Sequence, residues 1–600
     1  MYKQSISVIA AVVMLCVSWI PASAATPSKI SFLVVAPDRG FLGNQEVRSL
    51  VDEFKKSYTA TLGLVGRDYT GVESEYAAYL TRAALELKQA GITEIVAIPL
   101  FVSEADPLLK RIIPLLPAHT GGLSVRWAPA MAHDYLIGQI VLDRVEALSE
   151  HPESERLIVV ATGAFDGSSE KAIKSDTDKL VGYVTRYKHF REAETVVYYD
   201  REAENAEQKN QEIKAYLMSQ MAKQGRTLLV PAFIGPKFDH AMSLTSWLGD
   251  QFKQTHVAYK PEELLPHPNA LLWLKKTANR EAPLTASQIG IVIMPHGSTQ
   301  PWNDAVETTI QPLMAKYPIE MAYGMGDPYI IQDAVSRLEQ RGIRRIVFVR
   351  MYALDHQMKP LTDYILGLSE QAPSDSHGAG HDHSATAPLQ IRTAALFSTF
   401  GGYEQNPDIA QVLHKRIAEL SKDPANETVL LLAHGEATDE GNDKWLAVIS
   451  KNIDRLRQDP HCAKLKMIKA LTVREDWPKE REKAVAGVRA TIEEASKHGR
   501  VLVIANRLYG SGPYKKMLQG LIYDQRERTG RSHPDPLAGG RHDAHDGGVD
   551  PVKERTSRLC PSLGQSYPGV RSSLTSIAIV GVAAVRRDEK YRAKKHHLID

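Results

Sequence analysis

The sequence predicts an α/β chain of four tandem, doubly wound parallel-sheet domains following a signal peptide. Two observations carry this expectation. Four apolar runs, 30–36, 157–161, 289–295 and 429–433, each end in a small residue or proline and a turn. Unbroken Val/Ile/Leu runs suit strands buried on both faces, the usual state of a parallel sheet. The turn positions Pro37, Thr162, His296 and His434 also recur roughly 130 residues apart, a domain's length rather than a solenoid's.

Each run continues in the same way. In the third unit the pattern reads helix over 305–316, strand over 319–323, helix over 328–340, and strand over 346–352, with Arg341-Gly342 closing the second helix. Equivalent helix-glycine-strand passages span 77–101 with Gly91, 212–233 with Gly225, and 484–505 with Gly499. Strand and helix alternating through short connections form right-handed βαβ units, and such sheets bind ligands beyond the carboxyl ends of their strands. The predicted boundaries are 29–150 and 155–282 for two degenerate repeats, then 287–422 and 427–525. The segment 526–600, rich in Gly, Arg, His and Asp, reads as a disordered tail or an altered reading frame that cuts the fourth repeat before its last helix.

The leader reads from a charged Lys3 through an apolar 6–20 to small residues at 21–24, a secretory signal that predicts export to a periplasm-type compartment. The apolar 574–585 is too short for a bilayer, so no stable membrane span is expected in the mature chain. Beyond the leader only Cys462 and Cys560 remain, too few for a disulfide framework or a cysteine-rich zinc site. A metal would therefore be held by His, carboxylate or Met. The formal net charge is +2 with both signs interspersed, which argues against nucleic acid as a partner.

Chemistry concentrates in the third unit. Pro295-His296-Gly297-Ser298 closes its first strand, and Tyr352-Ala353-Leu354-Asp355-His356 closes its third. Two imidazoles at neighbouring strand ends can converge on one divalent ion and leave coordination positions open. His377, His381 and His383 lie in a polar Gly/His loop at 374–387, an accessory metal-loading loop or a solvated insertion. Pro266-His267-Pro268 reads as a rigid turn ahead of a final helix.

With Trp302-Asn303-Asp304, Asp327-Pro328 and Gly342, the third unit resembles the small CbiX/SirB-type sirohydrochlorin chelatases of the class II chelatase superfamily. The fourth repeats the layout with His434-Gly435, Asn442 and Trp445, and the first two share it more weakly. The resemblance implies a lyase that inserts a divalent metal into a sirohydrochlorin-type tetrapyrrole. Co²⁺ ranks first as substrate, ahead of Fe²⁺, Ni²⁺ or Zn²⁺, and no organic cofactor is implied. It makes His296 and His356 the catalytic pair, with Met325, His434 and Glu475 as further metal ligands. Met325 stands where the family carries a glutamate, and a thioether cannot accept a pyrrole proton. Tyr509-Gly510-Ser511 replaces the second His in the fourth repeat, whereas Asp239-His240 follows the third strand of the second. The alternative expectation is a non-catalytic periplasmic carrier of metal or tetrapyrrole on the same fold.

Overall fold

A computed structural model describes residues 29–66, 75–223, 225–235, 244–252, 255, 257–352, 354–373, 388–402, 406–507 and 513–525, with only the backbone at 355–357. Residues 1–28, where a leader is expected, 374–387 with their three histidines, Asp239-His240, Tyr509-Gly510-Ser511 and 526–600 lie outside the described residues. The chain divides into two compact units, the first reaching to Pro283 and also taking in Arg392–Ala394, the second holding the rest from Leu284 onwards.

The first unit holds two repeats. One runs β1 (Ile30–Pro37), α1 (Gly40–Lys55), β2 (Ala60–Val65), α2 (Glu75–Gln89), β3 (Glu94–Pro99), α3 (Pro107–Leu115), β4 (Ser124–Trp127) and α4 (Tyr135–Glu146). The other runs β5 (Arg156–Ala164), α5 (Gly167–Thr185), β6 (Glu192–Tyr199), α6 (Ala206–Met221), β7 (Thr227–Pro231), α7 (Leu244–Phe252), β8 (Val257–Tyr259) and α8 (Pro268–Glu281). Every described strand pairing is parallel, in the orders β2-β1-β3-β4 and β6-β5-β7-β8.

The second unit repeats the plan. Its first half is β9 (Ile289–Pro295), α9 (Gln300–Met314), β10 (Ile319–Met321), α10 (Pro328–Gln340), β11 (Arg345–Met351), α11 (Asp355–Ile365), β12 (Leu396–Gly401) and α12 (Asp408–Leu420). Its second half is β13 (Glu427–Ala433), α13 (Asp439–Leu456), β14 (Met467–Thr472), α14 (Pro478–Ser496), β15 (Arg500–Ala505), α15 (Tyr514–Met517) and β16 (Asp524–Gln525). The orders are again β10-β9-β11-β12 and β14-β13-β15-β16. Four four-stranded parallel sheets, flanked by helices, thus match the fold class that the apolar runs predict.

The runs are apolar because the first strand of each sheet is central. Ile291, Val292, Ile293 and Met294 are each at most 2% exposed, the odd positions packing with α9 and the even ones with α10 and α11. Burial of each such side chain contributes about 1.5–3 kcal/mol, which compensates for the ordering of short strands.

The closing helices do not stay with their own repeats. Helix α4 packs on α5 of the second repeat, and α8 packs back on α1 and β3 of the first. In the second unit α12 likewise leaves the third repeat for α13 and β15 of the fourth. His267 caps α8, its Nδ1 accepting from the Asn269 amide at 3.1 Å while Nε2 meets Asp143 at 3.0 Å, so the turn expected there is a helix cap. Among the described residues no helix is long and apolar enough to cross a membrane.

Candidate functional site

The parallel register determines which residues share a sheet edge. Pro295 at the end of β9 lies opposite Met351 at the end of β11, so His296 and Tyr352 leave adjacent strands together. Their rings are 6.3 Å apart between centroids. Tyr352 donates to the Gly324 carbonyl, and burial pushes its phenol well above the usual range. His356 is the second residue of α11, directly beyond this edge, and its side chain lies outside the described residues. Met325 is half-buried against the α10/α11 core. Asp327 caps α10, accepting from the Tyr329 and Ile330 amides at 2.8 and 3.2 Å, as expected of a helix-start acid.

His296 is exposed, and its Nδ1 lies 2.8 Å from the Gly297 carbonyl. A carbonyl only accepts, so a neutral ring in this pose has its N–H on Nδ1 and its lone pair on Nε2. His434, at the end of β13, repeats this with Nδ1 at 2.9 Å from the Gly435 carbonyl. In both cases a glycine in the left-handed region, φ 77° and φ 87°, turns its carbonyl back towards the preceding ring. At Gly435 a Cβ would also meet Asn442 Oδ1 at 2.8 Å and Thr472 Cβ at 2.9 Å. Histidine metal ligands are commonly oriented in this way, one ring nitrogen fixed to an acceptor and the other presented.

His434 has the richer surroundings. Its Nε2 lies 2.9 Å from Asp476 Oδ2, and its ring stacks near Trp445 and meets Trp477 edge-on at 5.7 Å. Both ring nitrogens therefore face acceptors, yet a neutral imidazole has a single N–H. The 2.9 Å between Nε2 and the Asp476 carboxylate is a hydrogen-bond distance, which suits one shared proton. Arg474, at φ 48°, shapes this loop by donating to the carbonyls of Glu436 and Ala437 and pairing with Asp439 at 2.6 Å. The Trp445 indole N–H is buried without a partner among the described residues.

The carboxylate beside His434 is thus Asp476 and not Glu475. Glu475 pairs with Arg507, whose carbonyl in turn accepts from Arg416 of α12 at 2.7 Å. Asp476 and Trp477 were missed as site residues, although the string Glu475-Asp476-Trp477 after the second strand was the available signal.

In the first unit the equivalent positions carry no imidazole. Asp38, beside Pro37, accepts from Gly40, Asn44 and Tyr76, while Thr162 is followed by Gly163, still at φ 103°. Pro37 and Thr162 line one cavity of about 20 Å³, together with Arg39, Ser103, Asp106 and Phe233. That admits a water. It also shows the two first-strand ends of a repeat pair facing a common space.

Asp106 caps α3 through the Leu108 amide at 2.9 Å. Desolvation pushes its carboxyl up to about 6, against the opposing pull of Arg39 and of the Leu108 and Leu109 amides. The native state therefore holds this proton longer than the unfolded chain, and the associated stability is lost as pH rises from about 4 through about 6. Asp106→Asn keeps a capping oxygen, so its melting temperature, measured against wild type across that window, falls less steeply. Parallel curves would show that Asp106 does not titrate with folding.

No protein-family model matches the chain, and no curated protein matches it.

Proposed function

We propose that the second unit is a chelatase that inserts a divalent metal, Co²⁺ foremost, into a sirohydrochlorin-type tetrapyrrole. The observation that carries this reading is the shared posture of His296 and His434. Each closes the first strand of its repeat and has Nδ1 pinned by the next glycine, which leaves Nε2 as the nitrogen for other partners, in His434 shared with Asp476. Pro37 and Thr162 face one cavity in the first unit. The same pairing in the second unit would set His296 and His434 on opposite walls of one cleft, a donor from each repeat for the incoming metal.

The residues divide the work in a chemically sensible way. Imidazole nitrogen is a borderline ligand that binds Co²⁺, Fe²⁺ or Ni²⁺ and can release it. Asp476, beside His434, can take a pyrrole proton as the metal enters, the role that Met325 cannot fill. The faces of Trp445 and Trp477 offer stacking surface to a flat macrocycle. The first unit, with no imidazole at these positions and a water-sized cavity, serves as a scaffold.

A second reading has one specific support, the half-buried Met325 in place of a carboxylate in the third repeat. On that reading the chain carries metal or tetrapyrrole without turnover. Purified protein mixed with sirohydrochlorin and Co²⁺ separates the two. Metallation above the uncatalysed rate, with turnover beyond one equivalent, supports the chelatase; a stoichiometric spectral shift that stops at one equivalent supports the carrier.

A further inference from the structure

A second cluster of donors lies away from the strand ends, where the crossing helix α12 meets the fourth repeat. His414 projects from α12, and Asp459 and Cys462 follow α13 in the turn leading to β14. One donor atom from each lies within 4.8 Å of the other two, and His414 Nε2 is 3.3 Å from Asp459 Oδ1. We propose that His414, Asp459 and Cys462 bind a zinc-class divalent ion that fastens α12 to the fourth repeat.

The donor set is of the right kind. Nitrogen, carboxylate oxygen and thiolate are the zinc donors, and bonds of about 2.0–2.3 Å place tetrahedral donors about 3.3–3.8 Å apart. The His414–Asp459 spacing already falls in that range, and the remaining approach of about 1 Å needs only side-chain rotation. Asp459 is held by the backbone, accepting from the amides of His461 and Cys462 at 2.8 and 3.2 Å.

Two features go beyond a surface ion pair. Cys462 is fully buried yet turned towards two polar donors. His461 lies alongside, its ring 6.1 Å from that of His414, with Nε2 buried and without a partner among the described residues. A His–Asp pair at a surface needs neither. Binding forms the metal–sulfur bond and releases the thiol proton to solvent. The partly exposed His414 side chain leaves an entry path.

The benefit would be mechanical. Helix α12 belongs by sequence to the third repeat and reaches the fourth, and its Arg416 supports the carbonyls of Ala505 and Arg507. An ion at His414 ties the same helix down two residues earlier.

The test uses the full chain carrying His296→Ala, His356→Ala and His434→Ala, with His377, His381 and His383 also replaced by Ala, so that the other candidate metal ligands are removed. After chelator treatment it is titrated with Zn²⁺ and with Co²⁺ as a spectroscopic probe. The expected result is one bound equivalent, a thiolate-to-cobalt charge-transfer band, and a melting temperature raised by about 5 °C at saturating Zn²⁺. Cys462→Ser abolishes the band. His414→Gln, at a partly exposed position that leaves the fold intact, weakens binding by about 100-fold. Absence of the equivalent, a cobalt spectrum without thiolate character, or undiminished binding in His414→Gln overturns the proposal.

Discussion

Replacing His434 by alanine lowers the initial rate of cobalt insertion by about 10²–10⁴-fold, the range typical for loss of a positioned acid–base or ligand group. The His434 ring is only partly exposed, and its two polar contacts are to Gly435 and Asp476, so the variant folds with little loss of stability. Asp476→Asn keeps the size and one acceptor oxygen but cannot take a pyrrole proton. It therefore lowers kcat while leaving tetrapyrrole affinity near wild type. Equal loss of rate and of affinity in Asp476→Asn would instead mean that the carboxylate only shapes the site. Initial rates over a range of sirohydrochlorin concentrations give both quantities.

The largest effect on stability falls in the first unit, where α8 crosses to the first repeat. Lys276 reaches Asp134 at 3.1 Å, and both side chains are at most 8% exposed. Arg280 adds a second cation at 3.0 Å, and the Leu136 amide a third contact at 3.1 Å. Burial pushes the Asp134 carboxyl up, but Lys276, Arg280 and the amide outweigh it and hold the group below the usual carboxylate range. Asp134→Ala leaves the Lys276 ammonium buried beside no counter-charge and costs about 3–5 kcal/mol, read as a drop in denaturant midpoint. The double variant Asp134→Leu/Lys276→Met recovers most of that loss, because neither charge is then stranded. The sign with pH follows from the lowered carboxyl. Its stabilisation is fully present above the unfolded value near 3.8 and disappears as pH falls through the folded one. A loss under about 1 kcal/mol for Asp134→Ala would show that the pair behaves like an exposed one.

The strands were legible because burial on both faces leaves a run of Val, Ile and Leu that no amphipathic helix shares. Their common turn was legible too, since Gly163, Gly297 and Gly435 mark the same left-handed position in three repeats. The crossing of the closing helices was not. An apolar helix face reads identically whichever repeat it covers, and only its partners, Asp134 for Lys276 or Ala505 for Arg416, reveal the exchange. For the same reason the repeats are four in sequence but two compact units in space.

At the candidate site His296 and His434 were readable as strand-end residues, whereas the carboxylate partner of His434 was not. Sequence position favours Glu475, yet Arg507, 32 residues further along the chain (507−475), claims that side chain and leaves Asp476 for His434. The cluster of His414, Asp459 and Cys462 was hidden by distance, His414 being 45 residues before Asp459 (459−414). A motif search by spacing cannot find donors that a crossing helix brings together.

The most direct test of the central claim is the rate of Co²⁺ insertion into sirohydrochlorin by the full chain and by its His296→Ala/His434→Ala variant. The account predicts multiple turnovers for the wild type and a rate at the uncatalysed level for the variant, with both proteins folded to the same melting temperature. Turnover that persists in the folded variant would contradict it.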